Sequence, residues 1–191
     1  MEFDLLTTDK IIGYFKRPKL FLPENLYNNK ELIPNEKGIY GWYFNYYFES
    51  LFEGDSIKHL IYVKDGNHKK YALMYIGITE INSKQKLRDR IYKKHLCGSS
   101  RNSTVRKSLA SLLSDKLSLD PQNKLNGQDR MVLNSWLFKY GRVAWIDRSE
   151  AIDFERKIFD QIGAILPLNY QCNKNNPWRV KIRELRKPWA N

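Results

Sequence analysis

The sequence predicts an α+β domain in which a small, mainly antiparallel sheet is flanked by helices. Three β-like runs lie close together in the first half of the chain, at 38–48, 58–64 and 71–79. Helical patterns dominate the second half, where one further β-like run, 143–146, lies between them. Strands that are grouped, rather than alternating regularly with helices, are typical of an α+β fold.

Each strand prediction rests on local composition. The run 38–48 is densely aromatic, and the run 58–64 contains Leu-Ile-Tyr-Val. Aromatic and β-branched residues favour strands because their side chains pack well on a pleated surface. Asp65-Gly66-Asn67, between the second and third runs, is a turn signal. We therefore expect these runs to form a mainly antiparallel sheet.

Helices are predicted at 87–96, from about 104 onward, at 130–140 and at 150–165. Ser103 or Thr104 can cap the second helix, whose apolar residues fall on one stripe. Ser149 can cap the last helix, which we expect to stop before Pro167.

The 191 residues are enough for one domain with a proper core. We predict that residues 1–36 form an N-terminal extension, because Pro18, Pro23 and Pro34 break its opening helical pattern. We assign residues 37–191 to one domain with a helical insertion at about 100–140 and a basic C-terminal tail.

Positive charge is clustered along the chain. The net charge is +12, and residues 84–107 contain nine basic residues against one acidic residue. A second basic cluster occupies residues 179–187. Such clusters are typical of proteins that bind polyanions, because neutralising phosphates releases counterions. The 14% aromatic content favours nucleic acid over an anionic membrane surface, since bases can stack on aromatic rings.

Other features of the composition bear on location. No apolar run is long enough to cross a bilayer, and the acidic N-terminus has no signal-peptide core. The two cysteines do not make a disulfide framework. We therefore expect a cytoplasmic protein that does not enter a membrane.

Glu155 is unusual for its position on the predicted helix 150–165. At 3.6 residues per turn it lies in the middle of an apolar stripe formed by Ile152, Ile158, Phe159, Ile162, Ile165 and Leu166. A carboxylate on an inward face is costly unless it is paired or binds a metal. An ion pair or a hydrogen bond to tyrosine explains Glu155 about as well as a metal site does.

Tyr75 lies on a strand whose alternation predicts two faces. Met74, Ile76 and Ile78 would share one face, and Leu73, Tyr75, Gly77 and Thr79 the other. Tyr75 then has a bare glycine beside it, so a bulky partner could approach its hydroxyl. The alternative is a half-buried tyrosine with its hydroxyl in solvent.

Four features occur in a characteristic order: Gly38-Ile39-Tyr40, Tyr75-Ile76-Gly77, a basic helix with Arg90, and a later helix with Glu155. In this order they resemble the GIY-YIG nuclease superfamily, and the closest likeness is to small stand-alone bacterial members. The resemblance covers about Lys37 to the end of the chain. It implies the GIY-YIG nuclease fold and a metal-dependent endonuclease that hydrolyses DNA phosphodiester bonds by a one-metal mechanism.

The resemblance also implies roles for individual residues. Glu155 would hold a single divalent ion, Mg²⁺ or Mn²⁺. Tyr40 and Tyr75 would line the active site, and one of them would help to activate water. Arg90 would bind the scissile phosphate. His95 would support a phosphate or a tyrosine, although a core-edge histidine bound to a backbone carbonyl is the alternative.

A further set of residues is expected to bind substrate: Arg88, Lys94, Ser103, Thr104, Arg106 and Asn169. Arg88 is the fallback for Arg90, and Asn169 would order the site through side-chain hydrogen bonds. Some members of the superfamily have a lysine where this chain has Ile78, so Lys86 or His95 would have to replace it. The strand 58–64 explains the long separation of the two tripeptides.

Two other functions compete with the nuclease interpretation. One is a non-catalytic module with a nuclease-like fold that binds nucleic acid without cutting it. The other is a protein-interaction or membrane-surface protein that uses its basic face. Because no second DNA-reading domain is evident in the sequence, specificity would come from the extension, the loop 118–130, the basic tail or a homodimer.

Overall fold

The computed structural model describes residues 7–45, 52, 60–79, 84–99, 101–147, 158, 166–169 and 176–189. Its four strands are β1 (Ile39–Asn45), β2 (Tyr62–Lys64), β3 (Lys70–Ile78) and β4 (Gly141–Ile146). They form one sheet in the order β2-β3-β1-β4, in which every neighbouring pair is antiparallel. The predicted α+β class and antiparallel sheet are confirmed. Glu155 and all of the predicted helix 150–165 except Ile158 lie outside the described residues.

Strand β3 contains a bulge that changes which residues share a face. Trp42 of β1 is opposite Tyr75, but the next residue, Tyr43, is opposite Leu73, so Met74 is an extra residue. Tyr75 consequently packs in the same hydrophobic cluster as Tyr40, whereas Leu73 packs in the cluster on the other face. The predicted alternation, which put Leu73 and Tyr75 on one face, is therefore wrong across the bulge.

The helices of the described chain surround this sheet. They are α1 (Thr8–Lys16), α2 (Pro23–Asn28), a π-helix (Asp89–Leu96), α3 (Thr104–Leu117), α4 (Gly127–Tyr140) and α5 (Arg179–Arg186). Ser103 is the N-cap of α3, since its side chain accepts a hydrogen bond from the Arg106 amide. Helix α4 begins three residues before the predicted start at 130.

Two hydrophobic clusters cover the two faces of the sheet. On one face, Tyr40, Trp42 and Tyr75 pack with residues of the π-helix, α3, α4 and α5, among them Ile91, Leu109, Leu133 and Ile182. On the other face, Ile39, Tyr43 and Leu73 pack with Ile11 and Phe15 of α1. The catalytic candidates therefore share a face with the helices that follow β3, and α1 lies on the opposite face.

The segment before β1 is packed against the sheet. The backbone of Phe21 exchanges two hydrogen bonds with Val143 of β4, at 2.8 and 3.1 Å, and its ring stacks on Trp145. Tyr43 donates its hydroxyl hydrogen bond to the Phe15 carbonyl. Within the described part of the chain, no helix has the length and apolarity that a bilayer span requires.

Candidate active site

Tyr40 lies at the centre of the candidate site. It is fully buried on β1 and is paired with Gly77 of β3 across the sheet. A Cβ on Gly77 would overlap the Cζ and hydroxyl oxygen of Tyr40 and would lie 2.8 Å from the Tyr75 ring. Only glycine at this position lets the Tyr40 side chain cross β3, so the glycine of the second tripeptide makes room for the tyrosine of the first.

Arg90 and His95 both reach the Tyr40 hydroxyl. The Arg90 Nε donates to Tyr40 Oη at 3.3 Å, and the His95 Nε2 lies 2.7 Å from the same oxygen. The two residues are five apart, which would separate them by about 140° around an α-helix. The π-helix brings them to one face because its hydrogen bonds span five residues, as between the Cys97 amide and the Tyr92 carbonyl.

His95 is buried and neutral. Burial lowers the pKa of His95 well below its usual value, and the nearby charges of Arg90, Arg106 and Lys94 lower it further. Its Nδ1 lies 2.6 Å from Ser103 Oγ, so the ring is held between Ser103 and Tyr40.

Two tautomers of His95 fit these contacts. With the proton on Nε2, the ring donates to Tyr40 Oη, which also accepts from Arg90, and both bonds stabilise negative charge on that oxygen. With the proton on Nδ1, the ring donates to Ser103, and Nε2 can accept a hydrogen bond from the Tyr40 hydroxyl.

Tyr75 stands beside this group. Its ring centroid lies 6.2 Å from that of Tyr40 and 6.2 Å from that of His95, and only 6% of the residue is exposed. The β3 bulge therefore brings the two tripeptide tyrosines together on one face. The structure thus groups four predicted catalytic residues: Tyr40, Tyr75, Arg90 and His95.

Asn169 supports β3 rather than facing substrate. Its Oδ1 accepts from the Ile76 amide at 2.8 Å, and its Nδ2 donates to the Ile76 carbonyl at 2.7 Å. The Leu168 amide adds a bond to the Met74 carbonyl at 3.0 Å. Because both amide atoms of Asn169 bind β3, the strand that carries Tyr75, its geometry indicates an ordering role and not a substrate contact.

Arg106 does not reach solvent, so the expected contact between its side chain and a DNA backbone is contradicted. The residue is fully buried, and its Nη1 donates to the carbonyls of His95 and Leu96 and to Asn134 Oδ1, at 3.1, 3.2 and 2.6 Å. Burial lowers the pKa of Arg106 to about 10. A cation on the last carbonyls of a helix stabilises that end, so Arg106 holds the π-helix in position.

Ser103 is likewise enclosed. It is buried, caps α3 and contacts His95, so its role is to position these elements rather than to meet a DNA backbone. Its neighbour Thr104 is partly exposed at the start of α3, and a substrate contact by Thr104 stays a prediction.

The two arginines of the predicted catalytic segment have different partners. Arg88 is bound to the N-terminal segment: its Nη1 lies 2.8 Å from Glu31 Oε2, and its Nε donates to the Ile33 carbonyl. Arg90 contacts Tyr40 instead, which agrees with the preference for Arg90 over Arg88. Lys94 is half-buried and acts on His95 through its charge, and its substrate contact stays a prediction.

A metal ion held by Glu155 stays a prediction, because Glu155 lies outside the described residues. The described residues contain no group of three histidine, cysteine or acidic side chains that could hold an ion. Asp89 is engaged by Lys93 Nζ at 2.7 Å and by the Lys86 amide at 3.0 Å, and these bonds lower the pKa of its carboxyl. The described part of the site therefore does not by itself fit a metal, and a metal site depends on Glu155.

Two contributors were missed by sequence reasoning. Asn134 is a polar residue on the buried side of α4, beside Leu133 and Leu137, and such an inward amide is a readable signal. The bond between Ser103 and His95 crosses the loop before α3, and the sequence carries no periodic signal for it.

Sheet and site together define a small α+β catalytic domain with a tyrosine-centred site. A family model described as the GIY-YIG catalytic domain matches residues 38–188. The chain therefore belongs to the GIY-YIG family, and the resemblance that rested on the two tripeptides is confirmed. At the level of the family, it is an endonuclease-type enzyme. No curated protein and no solved structure matches the chain.

Proposed function

We propose that this protein is a metal-dependent endonuclease that hydrolyses DNA phosphodiester bonds. The observation that carries the proposal is the grouping of Arg90 and His95 on the Tyr40 hydroxyl, beside Tyr75. A phenolate at Tyr40 that accepts hydrogen bonds from two such neighbours can take a proton from water, and an arginine at the same oxygen can bind a phosphate.

The proposed reaction begins with substrate binding at Arg90. A guanidinium carries five N–H donors, so Arg90 can hold Tyr40 while another N–H donates to a non-bridging phosphate oxygen. The donated charge would stabilise the phosphoryl oxygens in the transition state. Arg90 would thereby fix the phosphorus near the tyrosine that activates water.

Water activation would follow at Tyr40. Tyr40 would act as a phenolate, whose charge is stabilised by N–H bonds from Arg90 and, in the Nε2-protonated tautomer, from His95. The attacking water gives its proton to this oxygen. The water oxygen forms a bond to phosphorus as the bond to the 3′ oxygen breaks. Tyr75 would position the water or the phosphate. A divalent cation, Mg²⁺ or Mn²⁺, held by Glu155 would supply positive charge to the phosphate and the leaving oxygen.

The test is cleavage of supercoiled plasmid and of single-stranded DNA with Mg²⁺, with and without chelator. Wild type is compared with Tyr40→Phe and Glu155→Ala, and Tyr14→Phe, on the opposite face of the sheet, is the matched control. Loss of a general base reduces a rate by roughly 10²–10⁴-fold, so we expect Tyr40→Phe to lose cutting while Tyr14→Phe keeps it. Equal cutting by Tyr40→Phe and wild type would refute the assignment of Tyr40.

A non-catalytic binding module is the second candidate, because the net charge of +12 can bind a polyanion without any metal. It predicts salt-sensitive DNA binding by wild type and by Glu155→Ala, with no cutting by either. Cutting that is abolished by chelator and by Glu155→Ala would exclude it.

A further inference from the structure

Helix α5 carries an excess of positive charge on one flank. Residues 179–187 contain five basic residues and one acidic residue. At 3.6 residues per turn, Arg179, Arg183, Arg186 and Lys187 fall within an arc of about 100°. The arc borders the buried face of the helix, where Ile182 packs in the cluster that contains Tyr40.

Helix α3 adds to this charge. The Arg186 Nη1 donates to Ser108 Oγ of α3 at 3.2 Å, and Arg186 and burial both lower the pKa of the adjacent Lys107. Arg186 itself is buried and links the two helices, so the exposed or partly exposed Lys107, Arg179, Arg183 and Lys187 are called the α3–α5 basic face below. Glu184 pairs with Lys187 and lies 3.5 Å from Arg183, which leaves the face positive overall. Like charges held this close repel each other, so an anionic partner would stabilise the arrangement.

The α3–α5 basic face is a fixed part of the domain. Trp178 before α5 and Trp189 after it are both buried in the main hydrophobic cluster. The basic tail predicted from the sequence therefore includes a docked helix whose charges keep a set position relative to the sheet.

The face also lies on the catalytic side of the molecule. Ser103, the N-cap of α3, contacts His95, and Lys107 lies four residues further, about 6 Å along the helix axis. Helices α3 and α5 cover the sheet face that carries Tyr40 and Tyr75. A strand whose phosphate is bound at Arg90 could therefore continue onto this face.

We propose that the α3–α5 basic face binds the phosphate backbone of the DNA substrate beside the scissile bond. The inference rests on the proposed function and extends it to a second contact surface. DNA suits the face better than a membrane, because Val180 and Leu185, the exposed apolar residues of α5, lie about 140° apart. A helix that binds in a membrane surface needs one continuous apolar face, and the apolar face of α5 is packed inside the protein.

The test compares two triple variants that each remove three positive charges. One is Lys107→Gln, Arg179→Gln, Arg183→Gln on the α3–α5 basic face. The control is Lys10→Gln, Lys16→Gln, Arg17→Gln on α1 and at its C-cap, on the opposite side of the sheet. Binding to a short labelled duplex is measured at several salt concentrations in chelator, so the result does not depend on cleavage.

We expect the first variant to bind roughly 100-fold more weakly at about 0.1 M salt, with the slope of log K against log salt reduced by about 2 to 3. The control should keep the wild-type slope. If the triple variant does not fold, Arg179→Gln with Arg183→Gln should still reduce the slope by about 2.

Three outcomes would overturn the proposal. The first is an unchanged salt slope in the basic-face variant, and the second is an equal loss of DNA affinity in the control variant. The third is that wild type binds phosphatidylserine vesicles more tightly than DNA and that the basic-face variant loses this vesicle binding. If wild type binds DNA as expected and does not cut it, the nuclease function fails while the binding surface stands.

Discussion

Acidification should destabilise the protein through His95. This histidine is buried between Tyr40 and Ser103, and the charges that face it are Arg90 and Lys94 from the π-helix and Arg106 from α3. No acid within the described residues is among the causes of its shifted pKa. A proton added to His95 in the folded state would meet three cations and no solvent.

The sign and size of the effect follow from linkage. The unfolded chain carries an ordinary histidine with a pKa near 6.5, while burial holds the pKa of His95 well below that value in the folded state. The unfolded state therefore binds the proton first as pH falls. The stability that neutral His95 provides is fully present above about pH 6.5 and is lost as pH falls toward the folded pKa. Between about pH 7.5 and about pH 5.5 the loss is about 1.4 kcal/mol.

The assay is urea unfolding at several pH values, followed by circular dichroism, for wild type and His95→Gln. Other groups titrate in both proteins, so the difference between their pH slopes isolates His95. We expect the wild type to lose about 1.4 kcal/mol more than the variant over this range. Parallel pH dependences would refute the reasoning, because they would mean that His95 is protonated in the folded state or exposed to solvent.

The remaining predictions concern the residues that shape the site. Gly77→Ala should reduce DNA cleavage at least tenfold by displacing Tyr40, and should cost about 1–3 kcal/mol in urea unfolding through overpacking. Arg106→Met should destabilise by roughly 2–4 kcal/mol, because it leaves two buried carbonyls and Asn134 without their donor. Asn169→Leu should reduce the free energy of unfolding by roughly 2–4 kcal/mol, because β3 loses two hydrogen bonds. Asn176→Leu, which removes a buried amide that does not bind β3, is the comparison for the effect of Asn169→Leu on cleavage. Wild-type stability and cleavage in any of these variants would contradict the role given to that residue.

Much of the fold could be predicted because its signals are local. The aromatic run before Asn45, the turn at Asp65-Gly66-Asn67 and the Ser103 cap each determine their element over a few residues. The order of the tripeptides also singled out Tyr40, Tyr75 and Arg90, which the structure groups together, while their catalytic roles stay predictions. The bulge at Met74 could not be, because period-two alternation assumes regular pairing.

Arginine 106 illustrates what charge counting cannot reveal. In the sequence it is one of nine basic residues between 84 and 107. In the structure it is the fully buried one, and its Nη1 binds carbonyls at the end of the π-helix and Asn134 from α4. Those partners come from two elements that no local pattern connects to it. A basic cluster therefore indicates a polyanion partner on average and does not assign each of its members to the surface.

The π-helix links these observations to the chemistry. In an α-helix, Lys94 at a spacing of four would share the face of Arg90, and an ammonium group would take the place of the imidazole beside Tyr40. The five-residue spacing of the π-helix selects His95 instead, a neutral residue that can donate a hydrogen bond to Tyr40 or accept one from it. π-Helices are rare and occur frequently at functional sites. Arg106 binds the carbonyls of His95 and Leu96 at the end of this π-helix. Its buried positive charge therefore stabilises the helical spacing that places the His95 imidazole next to the Tyr40 hydroxyl.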